Sequence, residues 1–137
     1  MRPEFREEAE WWLRQAEADF SALDILFQAG KYDLVCFLAQ QVAEKALKAY
    51  LFLNEEEPPP THSIARLCSA AARFDPSFQA LRSEVKKLTP YYVDARYPNA
   101  LEEIPALYFE AREAEEAIQL AEQTLRFVKE RFSPTLD

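Results

Sequence analysis

Glycine occurs once in these 137 residues, at Gly30; histidine occurs once, at His62, and cysteine twice, at Cys36 and Cys68. Each scarcity removes a chemistry. A phosphate-cradling loop needs several glycines so that backbone can approach the ligand, which excludes P-loop and dinucleotide-binding sites. Two separated cysteines and one histidine cannot supply the usual tetrahedral zinc set, and the Glu-x-x-His motifs of carboxylate metal bundles are missing. Neither a metal nor a cofactor is expected. A serine or cysteine nucleophile could use only His62, and nothing near it resembles a nucleophile elbow, so no catalytic residue is assigned. Cys36 and Cys68 lie inside apolar periodic segments and read as buried free thiols rather than a disulfide. No stretch approaches the ~18 apolar residues of a membrane span. The acidic start MRPEFREEAE lacks the basic-then-apolar order of a signal peptide, so a cytoplasmic protein with no membrane partner is expected.

What is present is helical. Ala9, Leu13, Ala16, Phe20, Leu23 and Phe27 step by four and three, a seam that only a helix presents on one side. Gly30 ends this first helix, because glycine accepts a left-handed conformation without a side-chain clash. Asp33 then caps a second helix running to about Asn54. Its core face carries Val35, Leu38, Val42, Ala46, Ala49 and Leu53; a neighbouring mixed face carries Leu34, Phe37, Gln41, Glu44 and Lys48. The prolines of NEEEPPPT make a loop. Thr61 or Ser63 starts a short third helix, and Asp75 with Pro76 starts a fourth through Phe78, Leu81, Val85, Leu88 and Tyr92. Pro90 and Pro98 kink or end it. The last helix shows Leu107, Ala111, Ala114, Ile118, Ala121, Leu125, Val128 and Phe132 in a heptad pattern. Nothing reads as strand. The expectation is an all-α, mostly antiparallel up-and-down bundle of about five helices, one of them short, in a single domain over residues 1–137 with its core at about 8–132.

Charge is distributed unevenly. The chain has a formal net charge of -8, yet residues 61–99 hold 6 basic and 3 acidic groups while residues 1–60 hold 6 and 12 and residues 100–137 hold 4 and 9. An overall acidic chain repels duplex DNA, whereas a basic middle can focus one phosphate group. That middle contains YYVDARYPNA, residues 91–100. Arg96 can hold a phosphate bidentately, or can pair with Asp94 or a helix-end carbonyl. Tyr91, Tyr92 and Tyr97 can stack a base. Tyr92 continues the apolar spacing of the fourth helix and reads as core, which leaves Tyr97 as the stacking candidate. His62 can face an anion from a helix N-terminus or serve as a capping or packing residue. Gln41, Glu44, Lys45 and Lys48 offer polar groups beside Phe37, with Glu44 and Lys48 also forming an ordinary i,i+4 pair. Trp11 and Trp12 cannot both point into one seam, so one is half exposed and available to a protein contact. The candidate ligand-binding set is Arg96, Tyr97, His62, Lys45 and Gln41.

The run WWLRQAEADFSALDILFQAGKYDLVCFLAQQVAEKALKAYLF, then THSIARL, then YYVDARYP resembles the HEPN domain family (higher eukaryote and prokaryote nucleotide-binding) of the prokaryotic stand-alone type, across roughly residues 8–132. YDLVCFLAQQVAEKALKA and RYP are the specific part. The resemblance implies a small helical bundle that commonly forms a homodimer and is often encoded beside a minimal nucleotidyltransferase as one half of a toxin–antitoxin pair. Many members are metal-independent ribonucleases with an Arg-x(4-6)-His motif. Here the positions five to seven residues before His62 are Glu55, Glu56 and Glu57, and those after Arg96 are Leu101, Glu102 and Glu103, so that motif is absent. A nucleotide-binding role follows, toward a mononucleotide or short single-stranded RNA end, together with a partner protein. Metal-free RNA cleavage is expected at background, because no histidine neighbours Arg96 in sequence. The alternatives are an RNA-cleaving toxin with an unusual set around Arg96 and Tyr97, or a purely structural interaction bundle.

Overall fold

The computed structural model describes the backbone of residues 3–132. Helices α1 (Pro3–Gln28), α2 (Tyr32–Leu53) and α8 (Ala111–Phe132) are the long elements. Between α2 and α8 come α3 (Ile64–Ala71), α4 (Phe78–Val85), a 3-10 turn (Lys86–Leu88) and three single-turn helices, α5 (Tyr91–Asp94), α6 (Pro98–Leu101) and α7 (Pro105–Tyr108). No strand occurs among the described residues.

The α1 seam behaves as its spacing requires: Ala9, Ala16 and Leu23 are fully buried, and Leu13, Phe20 and Phe27 pack against them. Gly30 sits at φ 75°. Its N–H donates to the Phe27 carbonyl, and the Lys31 N–H donates to the Leu26 carbonyl, both at 2.9 Å. This is the paired closure that a left-handed residue after a helix allows. The same closure ends α2, where the left-handed residue at φ 58° is Glu55 and the Glu56 N–H reaches the Leu51 carbonyl at 3.0 Å. Asp33 is not the cap of α2: Lys31 occupies that position without a side-chain bond, and Asp33 lies inside the first turn. A carboxylate there still complements the helix dipole.

Helix α2 is the hub, buried from Val35 to Phe52 along most of its circumference. Helix α1 returns against it, with Phe5 and Trp12 near its start meeting Phe52 near the end of α2. Helix α8 lies on another side and runs the same way as α2. The Cys36 thiol near the start of α2 senses Glu113 and Glu116, while Tyr50 near its end packs on Phe78, which meets Phe127 of α8. The long connection from 54 to 110 permits this direction. Cys36 and Cys68 are both buried and unpaired, and burial pushes each thiol up to about 12.

Ser63 caps α3 by accepting the Arg66 N–H at 3.1 Å, and Asp75 turns the chain into α4 by accepting the Ser77 N–H at 3.0 Å. Past Pro90, whose predecessor Thr89 stays helical, the next two prolines act on their predecessors. Tyr97 and Ile104, which precede Pro98 and Pro105, are extended, as clash with a proline ring dictates. The chain therefore breaks into single turns instead of one helix. Leu107, expected in the last-helix seam, belongs to α7 and is 80% exposed; the extended residue Phe109 separates it from α8.

Candidate functional site

Three segments distant in sequence meet here: Phe37, Gln40, Gln41 and Glu44 of α2; His62 in the loop before α3; and Tyr92 of α5 with Arg96 and Tyr97 just after it. Glu44 sits at the base. It is 4% exposed. Its carboxylate accepts from Lys48 Nζ at 2.7 Å, Gln40 Nε2 at 3.1 Å and Gln41 Nε2 at 3.3 Å. His62 Nδ1 lies 3.1 and 3.2 Å from its two oxygens. Burial by itself would raise the Glu44 carboxyl, yet the bonds from Lys48, Gln40 and His62 outweigh it and hold the group below the ordinary carboxylate range. Glu44 is thus an ionised acceptor surrounded by donors.

His62 is anchored twice. Its carbonyl accepts from Gln40 Nε2 at 2.8 Å, and its ring lies flat on Tyr92, centroids 3.7 Å apart and planes 10° apart. Tyr92 is half-buried rather than core, because its ring is the floor of this cluster and not a continuation of the α4 seam. The Arg96 guanidinium lies over the same Tyr92 ring at 4.3 Å, over Tyr97 at 4.7 Å and over Phe37 at 4.8 Å. Its Nε donates to the Tyr92 carbonyl at 2.7 Å. The helix-end carbonyl, not Asp94, is therefore the partner of Arg96. Neither of its terminal nitrogens has a hydrogen bond, and no carboxylate pairs with it, among the described residues. Tyr97 is 47% exposed. A planar cation clamped by rings, with its outer N–H groups free, is suited to a phosphate or carboxylate oxygen pair.

The HEPN domain family matches residues 9–131. The chain belongs to the HEPN family. An archaeal HEPN homologue, ST0689, is 33% identical with a TM-score of 0.77, covering 92% of this chain and 98% of that one. The crystal structure of TT1696 from Thermus thermophilus is 34% identical with a TM-score of 0.84, covering 91% and 98%. A comparison with curated proteins gives no match.

In this HEPN chain the fold corrects one premise of the sequence reading. No histidine neighbours Arg96 along the chain, but His62 and Arg96 pack on one tyrosine ring. The pairing has no sequence signature, since it depends on the loop before α3 crossing α2 opposite Glu44. Of the five candidate ligand residues, Arg96, Tyr97, His62 and Gln41 come together. Lys45 does not join them: its Nζ donates to Asp19 of α1 at 2.5 Å, and it lines a separate cavity of about 330 Å³ with Trp11, Trp12 and Gln15. Glu44, Gln40 and Tyr92 were not among the candidates. Glu44 is legible as a polar group beside Phe37 and Tyr92 as an aromatic able to stack, while the signal for Gln40 is a polar residue on an otherwise buried helix. Among the described residues no cluster of histidine, cysteine or carboxylate groups could hold a metal ion, and no helix is long and apolar enough to cross a membrane.

Proposed function

We propose that this HEPN protein binds a nucleotide or another phosphate-bearing ligand at Arg96, with His62, Gln41 and Tyr97 around it. The observation that carries the reading is the open half of the Arg96 guanidinium, held by three aromatic rings yet lacking any carboxylate partner. Tyr97 supplies a ring for a base, and the limited cationic surface suits a mononucleotide or a short single-stranded RNA end better than a duplex. The resemblance adds a homodimer and a partner such as a minimal nucleotidyltransferase, in a toxin–antitoxin-type pair. The exposed apolar side chains Val93, Ile104, Leu107 and Tyr108 in and after α5 offer surface for such contacts. Calorimetric titration with nucleoside monophosphates tests the ligand: salt-sensitive binding that Arg96→Ala weakens about tenfold supports it, and absence of binding at millimolar nucleotide refutes it. Light scattering, and co-purification with a co-expressed nucleotidyltransferase from the neighbouring gene, test the partners.

A second reading, RNA cleavage, is favoured by His62 being oriented by a buried carboxylate within the same cluster as a phosphate-binding arginine. Incubation of the pure protein with structured RNA in EDTA decides it. Cleavage lost in both Arg96→Ala and His62→Ala would replace the binding-only reading.

A further inference from the structure

The His62–Glu44 contact constrains what the site can accept, given the nucleotide reading above on which this inference rests. An ionised carboxylate has no hydrogen to give, and Glu44 already receives N–H groups from Gln40, Gln41 and Lys48. The proton between Glu44 and His62 therefore sits on Nδ1. Turning the ring over would set a C–H edge against that carboxylate, while the His62 carbonyl stays tied to Gln40 at 2.8 Å and the ring stays pressed on Tyr92. In the neutral imidazole the hydrogen bond made by one nitrogen sets the role of the other, so Nε2 is left as an acceptor. It has no partner among the described residues, and the side chain is 50% exposed. The two open groups of the site are thus of opposite kind: Arg96 offers donors only, and His62 offers an acceptor.

We propose that Glu44 is the positioning residue of this site, holding His62 by Nδ1 so that Nε2 accepts a hydrogen bond from a ligand hydroxyl adjacent to the phosphate group that Arg96 takes. The ligand class is a phosphate ester with a vicinal hydroxyl, as in a ribonucleotide 3′-phosphate. A deoxy analogue leaves Nε2 without a donor and binds less tightly.

The chain has one histidine, so a long-range proton–nitrogen correlation spectrum reports the His62 tautomer without assignment. The spectrum of the unmodified protein with its imidazole neutral is expected to show the Nδ1–H form, and Glu44→Gln to show a mixture while thermal unfolding remains cooperative. Uridine 3′-monophosphate is expected to bind several-fold to about tenfold tighter than its 2′-deoxy counterpart. That preference disappears in Glu44→Gln and in His62→Ala, whereas Arg96→Ala weakens both ligands. An Nε2–H tautomer in the unmodified protein overturns the proposal, and so does equal affinity for the two ligands, which leaves the nucleotide reading in place. If neither ligand binds, the nucleotide reading falls and the hydroxyl contact with it. If the ribose preference persists in Glu44→Gln, the assignment of Glu44 is wrong while the site stands.

Discussion

Arg96 and Arg131 each lie over more than one aromatic ring, and they are built to different ends. Arg131, near the end of α8, sits 3.6 Å over Phe127 and 5.5 Å over Phe78. Every nitrogen of its guanidinium is used: Nε donates to Asp75 at 2.8 Å, one terminal nitrogen to the Phe127 carbonyl at 2.8 Å, and the other to Ser77 Oγ at 3.0 Å. It clasps the last helix to the start of α4. Arg96 has a comparable bed of rings, but only Nε is satisfied. A cation over aromatic faces gains roughly 0.5–2 kcal/mol wherever it sits. The remaining donors decide whether that cation serves the fold or faces outward. Ring stacking thus fixes the guanidinium, and carboxylate pairing distinguishes a clasp from a candidate binding group.

Breaking the clasp should have the largest effect. Arg131→Ala loses charge-assisted bonds and ring contact, for about 2–3 kcal/mol; a urea midpoint that drops at unchanged slope would show it, with nucleotide binding intact. Arg96→Ala should do the reverse. Affinity falls about tenfold, or roughly 1.4 kcal/mol, while folding stability falls by about 1 kcal/mol or less, because one carbonyl bond and the ring contacts are lost. That residue has a structural role as well as an open face, so Arg96→Lys, which keeps charge but not the fork, sharpens the test by separating phosphate geometry from simple attraction. Should Arg96→Ala unfold the protein, the two arginines are alike after all.

Acid separates the regions further. Hydrogen bonds from Ser77 and Arg131 hold Asp75 below the ordinary carboxylate range, and Glu44 is also held low despite its burial. A carboxyl whose folded value is depressed contributes stability that is complete above its unfolded value and is lost as pH falls through the folded one. Stability is therefore expected to decline with acid below the ordinary carboxylate range, and Asp75→Asn should flatten part of that decline. His62→Gln, which keeps a polar group on Tyr92, should leave the Asp75 portion untouched. The smallest effect is that of salt: between low and physiological ionic strength the half-buried Arg131 clasp should shift the unfolding midpoint little, while nucleotide affinity at the outward-facing Arg96 falls several-fold. A salt-insensitive affinity would remove Arg96 from the ligand site.

Local patterns are legible where the chain is regular. The seam of α1, the turn at Gly30, the core face of α2 and the cap at Ser63 follow from spacing and from residue chemistry within a few positions. Spacing misleads where proline punctuates the chain. Leu107 kept the heptad spacing of α8 but fell in a separate turn, because Pro105 starts a new helix and Phe109 is extended. Tyr92 kept the α4 spacing yet became the floor of the site, since the 3-10 turn before Pro90 rephases the chain. At the end of α2 no glycine announced the left-handed closure that Glu55 makes.

The all-helical character of the chain, the buried α2 and the basic, aromatic stretch near Arg96 are written in local order, because helix periodicity and composition are properties of near neighbours. Which of those groups form a site depends on packing. Glu44 and Lys45 are one step, about 100°, apart on the same helix, and that step sends Glu44 to His62 and Lys45 to Asp19 of α1. His62 and Arg96 share a ring because the loop after α2 and the broken segment after α4 return to one side of that helix. Such meetings depend on how helices pack and on where prolines interrupt them, and no spacing along the chain records them.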